Sequence, residues 1–122
     1  MDQFLKENSA AKNANNNTKT LLEDETLLLI VDVQQKLISH INGNQLLIFN
    51  IKKLIDTCNL LNVHIAITEQ NPLKLGMTLE SILDKNEFPK FEKMEFSCSE
   101  NKNFLNYINK NNFKNIIVCG IE

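Results

Sequence analysis

At 122 residues the chain is long enough to bury a core, and nothing in it suggests more than one small α/β-sized domain. Hydrophobic residues make up 43% and charged residues 23%, a globular mixture that argues against wholesale disorder. The formal net charge is −2 and all 13 basic residues are Lys, which excludes a polyanion binder working through bulk positive charge, so no nucleic-acid partner is expected. Nineteen Asn accompany the Lys residues, a compositional bias that makes individual surface Lys and Asn uninformative.

Residues 1–20 read as a flexible N-terminal tail, because Asn13, Asn15, Asn16 and Asn17 break any period and apolar content is low. The domain expected over 21–122 begins with Leu27-Leu28-Leu29-Ile30-Val31, a continuous apolar run that predicts a strand covered on both faces. Leu47, Ile51, Leu54, Ile55, Cys58 and Leu61 then form a helical stripe over 45–61, with Asn44 in the N-cap position. Val63 to Thr68 is a second, β-branched strand. A loop over 69–78 contains Pro72 and Gly76, and Leu79, Ile82 and Leu83 mark a short helix after it. Phe91 to Phe96 predicts a weaker third strand. Phe104, Leu105 and Ile108 mark a second amphipathic helix, and Asn115 to Cys119 a fourth strand. Strand and helix alternating at crossover spacing read as parallel βαβ units.

The longest apolar run, Leu27 to Val31, is far short of a membrane span, and the polar start Met1-Asp2-Gln3 lacks a signal-peptide core. Cys58, Cys98 and Cys119 sit apart without CxxC spacing, so reduced thiols and a cytoplasmic location are expected. His40 and His64 have no metal-ligand spacing, so no metal is expected. Three glycines form no phosphate-binding loop, so no nucleotide cofactor is expected either.

In parallel sheets, working residues gather beyond the carboxyl ends of the strands. That rule selects Asp32, Thr68-Glu69-Gln70, Lys93 to Ser97 and Gly120-Ile121-Glu122. Asp32 leaves a buried strand, which suits a general base and equally a loop-ordering cap. Lys93, in a mostly apolar strand, is either a solvent-facing Lys or the charge partner of Asp32. Glu69 and Gln70 shape a pocket or order a loop. Ser97-Cys98-Ser99-Glu100 fits a capping box for the following helix.

Leu28 to Leu37 with its strand–Asp–x–Gln start, Thr68-Glu69-Gln70 with Leu75-Gly76-Met77-Thr78, Lys93-Met94-Glu95-Phe96-Ser97, and Gly120-Ile121-Glu122 occur in this order. Together they resemble the isochorismatase-like cysteine hydrolase family, in its isochorismatase-domain branch, over Leu27 to Glu122. The resemblance implies a three-layer α/β/α, Rossmann-like domain around a parallel sheet and an Asp–Lys–Cys triad acting on a small molecule without a cofactor. Asp32 matches the Asp that takes the thiol proton, and Lys93 the Lys that orients it. Gln34, Glu69, Gln70, Phe96 and Ser97 become pocket candidates. Ile121 and Glu122 match the oxyanion region, where the family carries a cis non-proline peptide. The family's nucleophilic Cys follows the G–I–E turn, past Glu122, so the sequence supplies only Asp and Lys; Cys119 in a strand reads as an inert thiol.

Two functional readings follow. One is the N-terminal part of a cysteine hydrolase, truncated after the fourth strand; the other is an inactive remnant or interaction module of the same fold. A receiver-like domain is a weaker third, since Val and Gln flank Asp32 where further carboxylates would be needed. Related hydrolases often assemble, so a homo-oligomer is open. Stopping after strand four is expected to leave one side of a β-branched central strand unpaired. No membrane partner is expected.

Overall fold

The computed structural model describes residues 20–122; the expected tail lies outside the described residues except for Thr20. After a 3-10 turn at Glu23–Glu25 come β1 (Thr26–Val31), α1 (Gln35–Ile38), α2 (Asn44–Leu60), β2 (His64–Gln70), α3 (Pro72–Leu75), α4 (Glu80–Leu83), β3 (Lys90–Lys93), α5 (Lys102–Lys110) and β4 (Asn115–Gly120). The four strands form one parallel sheet in the order β3-β2-β1-β4.

All six residues of β1 are buried, as its unbroken apolar run requires of a strand with neighbours on both sides and cover on both faces. Leu28 and Ile30 point to one face. There they meet Ile51, Ile55 and Cys58 of α2 and Ile82 of α4. Leu27, Leu29 and Val31 point to the other face, against Phe104 of α5 and Phe113. Phe91, Phe104, Tyr107 and Phe113 extend that second layer through ring contacts of 5.2–5.6 Å between centroids. Helices on both faces of a parallel sheet make three layers, as expected. Each fully buried Ile of the α2 stripe contributes about 1.5–3 kcal/mol through burial, so the stripe is a main tie between helix and sheet.

The chain runs outward from β1 through β2 to β3, with the intervening helices packed on the first face. It then crosses the second face through α5 and enters the sheet on the far side of β1. The direction of winding reverses there, which opens a crevice at the carboxyl ends of β1 and β4.

Several local expectations are corrected. The N-cap of α2 is Gly43, at φ 71°, and Asn44 lies inside the helix, its amide donating to the Ile38 carbonyl at 3.2 Å. Glycine enters the left-handed conformation needed at that entry without steric cost. β2 runs on to Gln70 because Glu69 and Gln70 pair with Glu92 and Lys93, so these two residues are strand and not loop. β3 ends at Lys93, well before Phe96, after its carbonyl accepts from the Asn71 N–H at 2.8 Å. Ser97 caps the short turn Cys98–Glu100, whereas Asn101 caps α5, its side chain accepting from the Phe104 N–H at 2.9 Å. As expected, the fourth strand has one side unpaired among the described residues, and the inner strands are β1 and β2. Among the described residues β4 is an edge, with Ile116 and Val118 exposed on the α5 side.

Candidate active site

Asp32 is the first residue past β1 and is completely buried. It sits at φ 55°, a left-handed conformation that Asp tolerates better than most side chains. Lys93 closes β3 and is 2% exposed. Its stem passes over the end of β2, and Nζ reaches Asp32 Oδ2 at 2.7 Å. The same ammonium donates to Gln70 Oε1 at 2.8 Å and to the Phe96 carbonyl at 3.0 Å. An ammonium has three protons, so Lys93 is saturated by protein acceptors.

The second oxygen of Asp32, Oδ1, accepts from the Thr68 hydroxyl at 2.7 Å. Thr68 is also the register partner of Val31, and its carbonyl accepts the Asp32 N–H at 3.2 Å. Thr68 lay within the segment picked out by the strand-end rule but received no role there. Strand alternation supplies the missing signal. With β2 extended to Gln70, Thr68 and Gln70 fall on the α5 face beside Lys93, and Glu69 falls on the opposite face.

Glu69 accordingly does not join the pair. Its Oε2 accepts from the Thr78 N–H at 2.6 Å and the Thr78 hydroxyl at 2.7 Å, and its Oε1 faces Lys90 Nζ at 3.4 Å. Gln34 is fully buried. It donates to the Gln70 and Gly76 carbonyls at 2.9 and 2.7 Å and accepts the Gln70 N–H at 2.8 Å, tying the end of β2 to the loop after it. Gln70 bridges Lys93 and the Met94 carbonyl. Phe96 is 72% exposed, with its ring centroid 5.9 Å from Lys93 Nζ. Ser97 Oγ lies 2.7 Å from Ser99 Oγ, outside the hydrogen bonds of the pair.

The turn after β4 completes the crevice. Gly120 has φ 137°, and a Cβ there would lie 2.1 Å from the Val31 carbonyl oxygen, so only glycine allows β4 this close to β1. Ile121 N–H then donates to that same carbonyl at 3.0 Å. No peptide bond among the described residues is cis, against the implied cis bond near Ile121–Glu122; the Ile121 hydrogen bond is made with a trans chain. The Glu122 carboxyl is pushed up by burial first and then by the charge and hydrogen bonding of Asp32, with Lys93 opposing.

The three thiols differ little in character. Burial, with a smaller push from Cys58, raises Cys119 to about 11, and burial raises Cys58 as well. Cys98 lies near the pair: burial raises it, Lys93 lowers it, Asp32 raises it, and Thr68 lowers it through a hydrogen bond. Protonated thiols of this kind are poor nucleophiles at neutral pH. Among the described residues no cluster of three His, Cys, Asp or Glu side chains is placed to hold a metal ion, and no helix is long and apolar enough to cross a membrane.

The fold and the site thus define a doubly wound parallel α/β domain with a buried carboxylate–ammonium pair at its switch point. A family model, the isochorismatase domain, matches residues 26–122. "Isochorismatase family protein 1A" of Dictyostelium discoideum is 36% identical over 108 residues, covering 84% of this chain and 52% of that protein. Among solved structures the chain is similar to the MAR1 ribonuclease from Caenorhabditis elegans, with a TM-score of 0.75 and 27% identity over 85% of this chain and 54% of that one. It also shares its fold with the Escherichia coli YcaC gene product, described as an octameric hydrolase of unknown specificity, at TM-score 0.71 and 19% identity over 85% and 55% of the two chains. The chain belongs to the isochorismatase family. It spans about half the length of the curated relatives it matches.

Proposed function

We propose that the chain provides the base and its charge partner for a cysteine hydrolase acting on a small molecule. The observation that carries this is the 2.7 Å contact between Lys93 Nζ and Asp32 Oδ2, both buried at the switch point of the sheet. Stability alone is a weak reason for such a pair. Attraction at an effective dielectric near 20 is worth about 4 kcal/mol, against a desolvation penalty of several kcal/mol for each ion. A buried ion pair facing a crevice is therefore better accounted for by function than by stability.

In this reading Asp32 takes the proton of a thiol that follows the Gly120-Ile121-Glu122 turn. The thiolate attacks the substrate carbonyl, and the leaving group departs with the proton returned by Asp32. Water, giving its proton to Asp32, then cleaves the thioester and releases the thiol. Lys93 acts through Asp32, because its three donors are engaged by Asp32, Gln70 and Phe96. Backbone near Ile121 and Glu122 serves the developing oxyanion. The chemistry needs no cofactor. Three free cysteines support a reducing, cytoplasmic setting.

The test is turnover of a panel of amides, esters, enol ethers and RNA by the protein isolated from its native cell, compared with Asp32→Asn and Lys93→Met. Small-molecule turnover should fall by about 10²–10⁴-fold in each variant while the fold remains. Rates near wild type in either variant reject the assignment. Cleavage of RNA in preference to every small molecule rejects the substrate class.

A further inference from the structure

We propose that Thr68 is the positioning residue that fixes the Asp32 carboxylate, an inference that rests on reading Asp32 as the base. Thr68 grips Asp32 twice. Its carbonyl accepts the Asp32 N–H at 3.2 Å, and its hydroxyl donates to Oδ1 at 2.7 Å. The first bond holds the backbone at φ 55°, where the side chain turns back over the strand ends; the second stops the carboxylate from rotating. Lys93 occupies the other oxygen, so each oxygen keeps one lone pair for an incoming proton. Without the hydroxyl, Oδ1 loses its 2.7 Å donor while Oδ2 keeps Lys93.

The burial of Thr68 sharpens the argument. At 1% exposure, no water replaces a hydroxyl that is removed, so the loss falls on the carboxylate. Its other ionisable neighbours are Lys93 on β3, Cys98 in the turn after it and Glu122 after β4. None of these lies on β2; Cys98 also meets the Thr68 hydroxyl, so Thr68→Val removes a partner from that thiol as well as from Oδ1.

The experiment follows the side-chain carboxyl carbon resonance of Asp32 by NMR at fixed pH in the 122-residue chain, in wild type, Thr68→Val and Thr68→Ser. Loss of the hydrogen bond at Oδ1 should move that resonance in Thr68→Val, and Thr68→Ser should restore it. Superimposable wild-type and Val spectra at that carbon, or a Ser variant shifted as far as Val, overturn the proposal. A second measurement does not depend on the Val variant folding. The Thr68 hydroxyl proton should give a resolved, slowly exchanging signal in wild type that is lost in Asp32→Ala; its absence in wild type also overturns the proposal. Failure of the parent reading shows elsewhere, as unchanged turnover in Asp32→Asn.

Discussion

At the residue scale, the buried pair sets up a test that separates charge from volume. Lys93→Met keeps the stem and removes the ammonium, leaving the Asp32 carboxylate buried and without its cation. Stranding a buried charge in this way costs about 3–5 kcal/mol. The double variant Asp32→Asn with Lys93→Met leaves no ion to strand and should lose less than Lys93→Met alone. Urea denaturation of the four proteins of this cycle checks it, and strict additivity of the two single effects would show that the pair is not coupled. Asp32 was visible in the sequence because it directly follows an apolar strand, although that position suited a loop-ordering cap as well as a base. The contact with Lys93 was not visible from spacing, since the two residues meet only through the strand order β3-β2-β1. Gln34 was legible as a residue of interest but not in its role, because its partners are backbone groups of Gln70 and Gly76.

At the element scale, β4 depends on one glycine. Gly120→Ala places a methyl carbon against the Val31 carbonyl and forces a side chain into φ 137°. Strain of this kind costs on the order of 1–3 kcal/mol before the clash is counted, and the clash is with backbone that cannot move aside cheaply. We expect the Ala variant to release the end of β4, seen as accelerated amide exchange at Ile117 to Ile121 with β2 and β3 unaffected. Unchanged protection of Ile121, whose N–H bonds to Val31, would refute this. The positions of the strands and of α2 and α5 were legible because apolar runs and stripes announce burial. Their ends were not. β2 gains Glu69 and Gln70 by pairing with β3, a distant part of the chain, whereas Asn101 takes the cap expected of Ser97 through a local bond to the Phe104 N–H.

At the scale of the whole molecule, the two edges of the sheet among the described residues are built differently. β3 is four residues long and carries Lys90, Glu92 and Lys93, the charge and brevity that discourage pairing with another chain. β4 is six residues, Asn-Ile-Ile-Val-Cys-Gly, with no charge or proline and with Ile116 and Val118 exposed. The 122-residue chain studied alone should therefore self-associate through β4, with a sedimentation mass at least double 14.0 kDa. Val118→Lys should shift the population to single chains by placing a charge on that face. A wild-type chain that sediments as a single copy at tens of micromolar would contradict it. The open side of β4 was foreseen from the sequence; the order of the other strands was not. The order of strands in a sheet is set by how crossovers pack, which no local pattern reveals.

The strand order also shapes how the molecule is made. β1, the most apolar of the four strands, is synthesised before the other three, yet one of its two partners is β4, so Leu27 must wait for Ile116 to emerge before its second edge is closed. Contacts between such distant parts of a chain form slowly, and until then a bare apolar strand is open to wrong partners. During translation the growing chain thus exposes the centre of its future core until nearly all of these residues have left the ribosome, which makes chaperone capture of nascent β1 an expected part of its biogenesis.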